Sequence, residues 1–82
     1  MKLPRNLSGT EFAKLLRQFG YGVTRQTGSH IRLTSTARGT EHHITVPAHN
    51  NLKVGTLAGV LSEVCSYLEI SRTELERRLF GT

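Results

Sequence analysis

The residues best suited to chemistry surround the turn Thr27-Gly28-Ser29-His30, which separates two stretches typical of β-strands. Histidine can take up and release a proton near neutral pH, since its unperturbed pKa is about 6.5. The types of residue around it predict acid–base chemistry at a phosphate, with His30 as base or acid. Arg32, two residues along the same strand face, could stabilise developing negative charge. The alternative is a surface histidine that only hydrogen-bonds the turn.

Further phosphate contacts are expected from the turn residue Ser29 and from two more cations, Arg25 and Lys53. Lys53 precedes Gly55-Thr56, so it could bind phosphate near the N-terminus of a helix. A solvated loop lysine is an equally good interpretation of Lys53.

The other histidines are weaker candidates. His42 and His43 are consecutive in a predicted strand, so they point to opposite faces and cannot chelate one ion together. His43 is an auxiliary acid–base candidate if its face of the sheet is that of His30, and His49 is a second one in a loop. Their spacing matches no zinc motif, so neither a metal nor a cofactor is expected.

The composition predicts one small basic domain over residues 1–82, with a net charge of +5 and a hydrophobic fraction of only 37%. Eight of the 11 basic residues but only two of the six acidic residues lie within residues 1–53. This distribution favours a nucleic-acid surface on the first helix and the sheet. The single cysteine, Cys65, suits a reducing cytoplasm and is expected in the core beside an apolar helical stripe. We expect no signal peptide and no membrane span.

Helix and strand signals alternate clearly along the chain. Ser8 and Glu11 form a capping-box pattern before a helix over about 9–19, and Gly20 ends it. Strands are expected over 21–26, 30–34 and 41–46. A second helix follows, with Thr56 as its candidate cap, and another capping box at Ser71 begins a short third helix. The order predicts an α+β fold, α-β-β-β-α plus a terminal helix, with helices on one face of a three-stranded antiparallel sheet.

The turn before His30 sets the register of the first two strands. A two-residue Gly28-Ser29 turn places Val23 on the face opposite Ile31 and Leu33, whereas an odd-length loop places all three on one buried face. The apolar pattern favours the odd-length loop or a bulge. His30 and Arg32 are then expected to share the polar face with Thr24 and Gln26.

These motifs, taken together, resemble the HicA (YcfA-like) family of bacterial toxins. The resemblance covers about residues 8–68. It lies in Phe19-Gly20-Tyr21 at the end of the first helix, in Gly28-Ser29-His30, and in Val46-Pro47-x-His49-x-x-Leu52-Lys53-x-Gly55-Thr56-Leu57.

The resemblance implies a fold like a double-stranded-RNA-binding domain, cleavage of mRNA as an mRNA interferase, and inhibition by a HicB-like antitoxin. It also implies that His30 is the catalytic histidine. Many members have a second histidine where this chain has Ile31, and residues 71–80 form a helical extension beyond the usual short form. The alternatives are a non-catalytic RNA-binding module on the same basic face and a protein-interaction domain. Homo-oligomerisation is left open.

Overall fold

The computed structural model describes residues 3–81. Helix α1 spans Gly9–Leu16 and continues as a 3₁₀ turn over Arg17–Phe19. Three strands follow, β1 at Gly22–Thr27, β2 at His30–Ser35 and β3 at His42–Pro47, and then helices α2 at Val54–Leu68 and α3 at Arg72–Phe80. The strands form one antiparallel sheet in the order β1-β2-β3. The predicted α+β class and element order are confirmed.

Local capping determines where the helices begin and end. The Ser8 hydroxyl accepts a hydrogen bond from the Glu11 backbone N–H, and the Glu11 carboxylate accepts one from the Ser8 N–H. This reciprocal bonding satisfies two donors that the first turn leaves unpaired, and it lowers the pKa of the Glu11 carboxyl. Gly20 ends the segment with a φ of 85°, the left-handed conformation that glycine adopts without a steric penalty.

The other two helix starts differ in part from expectation. Thr56 is not the cap of α2, because the helix already begins at Val54 with Lys53 as its N-cap. Ser71 does cap α3 by accepting from the Glu74 N–H. The Glu74 carboxylate, however, pairs with two arginines in the next turn of its own helix, and these contacts lower its pKa.

The helices cover only one face of the sheet. The inward residues of β2 and β3 are buried against apolar residues of all three helices, so that one hydrophobic core spans the described chain. Its strand members are Ile31, Leu33, Ile44 and Val46, and its fully buried helical members are Phe12, Leu16, Leu57, Leu61, Val64 and Leu75. The alternate residues of β2 and β3 face away from the helices. We call this helix-free side of the sheet the open face.

The first hairpin combines a two-residue turn with a bulge. Thr27 pairs with His30, so the turn consists of Gly28 and Ser29, and Gly28 has the positive φ of 56° that a type II′ turn requires at its first position. The register then shifts between Val23 and Arg25. The predicted bulge is therefore confirmed, while the odd-length loop is wrong.

The hairpin also corrects two side-chain positions. Val23 pairs with Leu33 on the helix side as predicted, but its side chain is 55% exposed and not buried, since α1 does not cover it. Gln26 pairs with Ile31, and it therefore faces the helix side and not the polar face expected for it. The two-residue turn is the cause, because it fixes the pairing of every residue from Thr27 back to the bulge.

Candidate nucleic-acid interface and acid–base site

His30 is exposed at the beginning of the central strand, on the open face. Its two cross-strand neighbours are Thr27 and Pro47. The Ser29 carbonyl oxygen accepts a hydrogen bond of 2.6 Å from the Ala48 N–H, so the turn before His30 is tied to the chain that leaves β3. The imidazole is thus carried by a residue that is paired on both sides, and it is open to solvent, as an acid–base group acting on a large ligand must be.

Two arginines lie opposite each other beside His30. Arg32 is two residues along β2 on the same face, about 7 Å away by strand geometry. Arg25 of β1 is its direct cross-strand partner. Like charges directly opposite each other destabilise a sheet, so a bound anion would relieve the repulsion within this pair. The structure therefore brings together three of the residues expected to act at a phosphate.

The balance of charge differs between the two ends of the chain. Among residues 3–81, the three arginines of α3 form ion pairs with carboxylates of the same helix, and Arg38 in the loop before β3 pairs with Glu69. Neither Arg25 nor Arg32 belongs to any ion pair found among these residues. The uncompensated positive charge therefore includes the open face, where it can meet a polyanion.

His43 lies on the open face, but far from His30. It pairs with Thr34, four residues along β2 from His30, which corresponds to about 13 Å. Its Nδ1 is hydrogen-bonded to the Thr34 hydroxyl at 2.7 Å, and its Nε2 lies 3.5 Å from a Glu41 carboxylate oxygen. His43 therefore lies on the same face of the sheet as His30, as an auxiliary acid–base role requires. The distance between the two residues nevertheless argues against their acting together on one phosphate.

Two further candidates follow β3, whose last residue, Pro47, pairs with His30. His49 is exposed in the loop after Pro47, and its carbonyl oxygen accepts from the Gly9 N–H at 3.0 Å. Lys53 is exposed and caps α2, in the helix layer, and it is not on the face of Arg25. Lys53 can therefore meet an anion at the N-terminus of α2, but it does not belong to the arginine pair.

A cluster of two tyrosine rings and one histidine ring was not predicted from the sequence. The Tyr21 hydroxyl is hydrogen-bonded to His42 Nδ1 at 2.7 Å, and the His42 ring stacks on Tyr67 with centroids 4.7 Å apart. The Tyr67 hydroxyl accepts from the Arg38 N–H and donates to the Thr40 carbonyl oxygen. This cluster closes the loop before β3 onto α2. The only available signal was the inward position of His42 in its strand.

Three further observations concern the thiol of Cys65, the possible ligands of a metal ion, and membrane-spanning helices. Cys65 is half-buried, and burial raises the pKa of its thiol, so it has the character of a packing residue and not of a nucleophile. Within residues 3–81, no three His, Cys, Asp or Glu side chains are grouped so that they could hold a metal ion. In the same range, no helix is long and apolar enough to cross a membrane.

The fold and the site define a class of small basic α+β protein that presents an exposed histidine beside two arginines on an uncovered sheet face. The family model described as the HicA toxin of bacterial toxin–antitoxin systems matches residues 9–64. The chain belongs to this family and is a toxin of a toxin–antitoxin system, which implies an antitoxin as partner. Comparison with curated proteins and with solved structures gives no match.

Proposed function

We propose that this toxin is an endoribonuclease that cleaves mRNA on its open face, with His30 as an acid–base group and without a metal ion. The observation that supports this most strongly is the cross-strand pair Arg25–Arg32, which lies beside the exposed His30 and is compensated by no described carboxylate. An RNA phosphate between the guanidinium groups would convert this repulsion into two charge-assisted contacts.

The reaction that suits these residues is internal transesterification. The ribose 2′-oxygen attacks the adjacent phosphorus, the bond from phosphorus to the 5′-oxygen breaks, and the products are a 2′,3′-cyclic phosphate and a free 5′-hydroxyl. His30 either accepts the 2′-hydroxyl proton or donates a proton to the leaving 5′-oxygen, and water or a second side chain performs the other transfer. Arg32 and Arg25 stabilise the additional negative charge on the phosphorane oxygens.

The contacts around the scissile phosphate follow from the same placement. Ser29 is exposed in the turn and could bind a phosphate oxygen next to His30, while Lys53 could bind a phosphate further along the RNA at the start of α2. His49 is a better candidate than His43 for the second acid–base group, because the loop after Pro47 begins beside His30.

We propose a HicB-like antitoxin as the inhibitor of this toxin. We also propose that residues 1–82 form one domain, of which α3 is an integral part.

The decisive experiment compares cleavage and binding of RNA by the same variants. Purified protein is incubated with mixed RNA in the presence and absence of a chelator, and RNA binding is measured separately. We expect chelator-resistant cleavage that falls by about 10²–10⁴-fold in His30→Ala while binding persists. His49→Ala and His43→Ala, tested in parallel, should show a loss only for His49. Equal cleavage by His30→Ala and the unmodified protein would disprove the assignment.

The second candidate function, a non-catalytic RNA-binding module, is supported by the same arginine pair. It predicts that the unmodified protein binds RNA, with an affinity that falls steeply as salt rises, but leaves it intact. Binding without cleavage by the unmodified protein would therefore favour this candidate. Absence of binding even at low salt would reject both.

A further inference from the structure

A groove lies on the other side of β1, between this strand and α1. Ala13, Val23 and Ile31 form an apolar floor, and the groove is also lined by Lys14 of α1 and Arg17 of the 3₁₀ turn that follows it. We call it the edge groove. It is on the helix side of the sheet and is therefore separate from the open face on which His30 lies.

Val23 is the most unusual member of the edge groove. It is 55% exposed, and only one other large apolar side chain among the described residues, Val54, is comparably exposed. The bulge in β1 turns Val23 to the helix side, yet α1 leaves it uncovered. A half-open apolar floor with a charged rim is typical of a binding surface.

The backbone of β1 offers a second binding element. In the described sheet, β1 pairs with β2 on one side only, so the groups on its other side are available for a further strand. None of its six residues is buried. An extended peptide can add to such an edge through main-chain hydrogen bonds, with alternate side chains entering pockets that give specificity.

The charges around this edge select the kind of partner. Lys14 and Arg17 lie on the groove side of β1, and Arg25 lies on the open-face side. A second copy of this chain, paired edge to edge, would bring these cations towards one another and would be disfavoured. An acidic strand would be attracted on both faces.

We propose that the edge groove binds an extended acidic segment of the antitoxin partner, which adds to the sheet beside β1. One side chain of the segment is apolar and packs on Val23. The acidic residues next to it contact Arg25 on the open face, and acidic residues two positions away contact Lys14 and Arg17 on the groove side. The proposal rests on the antitoxin partner that the family implies and is independent of the ribonuclease chemistry.

A defined probe tests the chemistry of this surface directly. A short peptide with one valine between two pairs of glutamates, and a matched peptide with lysine in place of each glutamate, are titrated into the isotope-labelled protein and followed by amide chemical shifts. We expect the acidic peptide to shift the amides of residues 22–27 and of the groove, with weaker binding at high salt. The lysine peptide should produce no such shifts.

Two matched variants separate the groove from general apolar exposure. Val23→Thr keeps the β-branched shape but replaces a methyl group with a hydroxyl, and it should weaken binding of the acidic peptide by roughly fourfold. Val54→Thr alters the other exposed valine and should leave the affinity unchanged. Equal weakening by both variants, or shifts confined to the open face, would overturn the proposal. So would concentration-dependent dimers formed through β1, or RNA that shifts the groove amides where the acidic peptide does not.

Discussion

Two glycine-to-alanine substitutions in helices should change stability in opposite directions. Gly9 is the first residue of α1, and a Cβ atom there would lie 1.9 Å from the Pro47 carbonyl oxygen and 2.8 Å from its carbon. Gly59 lies within α2, where a Cβ atom would meet nothing within 4 Å. Helix propensity alone predicts that alanine stabilises both positions by up to about 1 kcal/mol.

At Gly9 the steric term should dominate. The atoms that alanine would meet belong to backbone that is also held by hydrogen bonds from Gly9 to His49 and from Ala48 to Ser29. Such overpacking costs roughly 1–3 kcal/mol, and the rigidity of the obstacle places Gly9→Ala in the upper part of that range. After the propensity gain is subtracted, we expect a net loss of about 2 kcal/mol in the free energy of unfolding. For a domain of this size, that loss lowers Tm by roughly 8–16 °C.

The assay is thermal and urea unfolding of Gly9→Ala, Gly59→Ala and the unmodified protein under identical conditions. Gly59→Ala should gain about 0.5–1 kcal/mol, which raises Tm by roughly 2–8 °C. Because Pro47 pairs with His30, Gly9→Ala should also lower any activity that depends on His30. If Gly9→Ala is as stable as the unmodified protein while Gly59→Ala is stabilised, the close approach of α1 to Pro47 is wrong.

Two further substitutions test electrostatics. Arg25→Gln removes a like-charged pair and should raise the free energy of unfolding by about 0.2–1 kcal/mol. The same substitution should weaken RNA binding and reduce the slope of log affinity against log salt concentration by about 1. A loss of stability in urea unfolding would contradict the first expectation. Burial raises the pKa of the Tyr21 phenol, so the folded state favours its neutral form. The contribution of Tyr21 to the free energy of unfolding should therefore be fully present below pH ~10 and be lost as the pH rises further. Urea titrations across this range should show the fall in the unmodified protein and a smaller one in Tyr21→Phe.

The elements and the buried core were predictable because each rests on a local signal. The Ser8–Glu11 box and the apolar stripe of α1 specify that helix within one stretch of sequence, and the alternation of Ile44 and Val46 with polar residues specifies β3. His30 was likewise predictable as an exposed residue, since its neighbour Ile31 must face the core. Local patterns of this kind determine which face a side chain occupies.

What the sequence did not reveal depends on contacts between distant segments. The cluster of Tyr21, His42 and Tyr67 joins the start of the sheet to α2, and no periodicity connects residues so far apart. The separation of His43 from His30 depends on the register of β2 with β3. The alternation of polar and apolar residues shows which face each histidine occupies, but it does not determine that register. Helix propensity likewise gave no warning that Gly9 must remain a glycine, because the obstacle is Pro47 in another part of the chain.

The composition of both candidate surfaces depends on the first hairpin. With the odd-length loop, Arg25 would have paired with Ile31 and faced the helices, and the cross-strand arginine pair would not exist. The two-residue turn instead places Arg25 opposite Arg32, and the bulge at Thr24 then restores Val23 to the helix side. One strand therefore supplies a cation to the open face and an apolar contact to the edge groove. Without the bulge, the turn that completes the arginine pair would have removed Val23 from the edge groove.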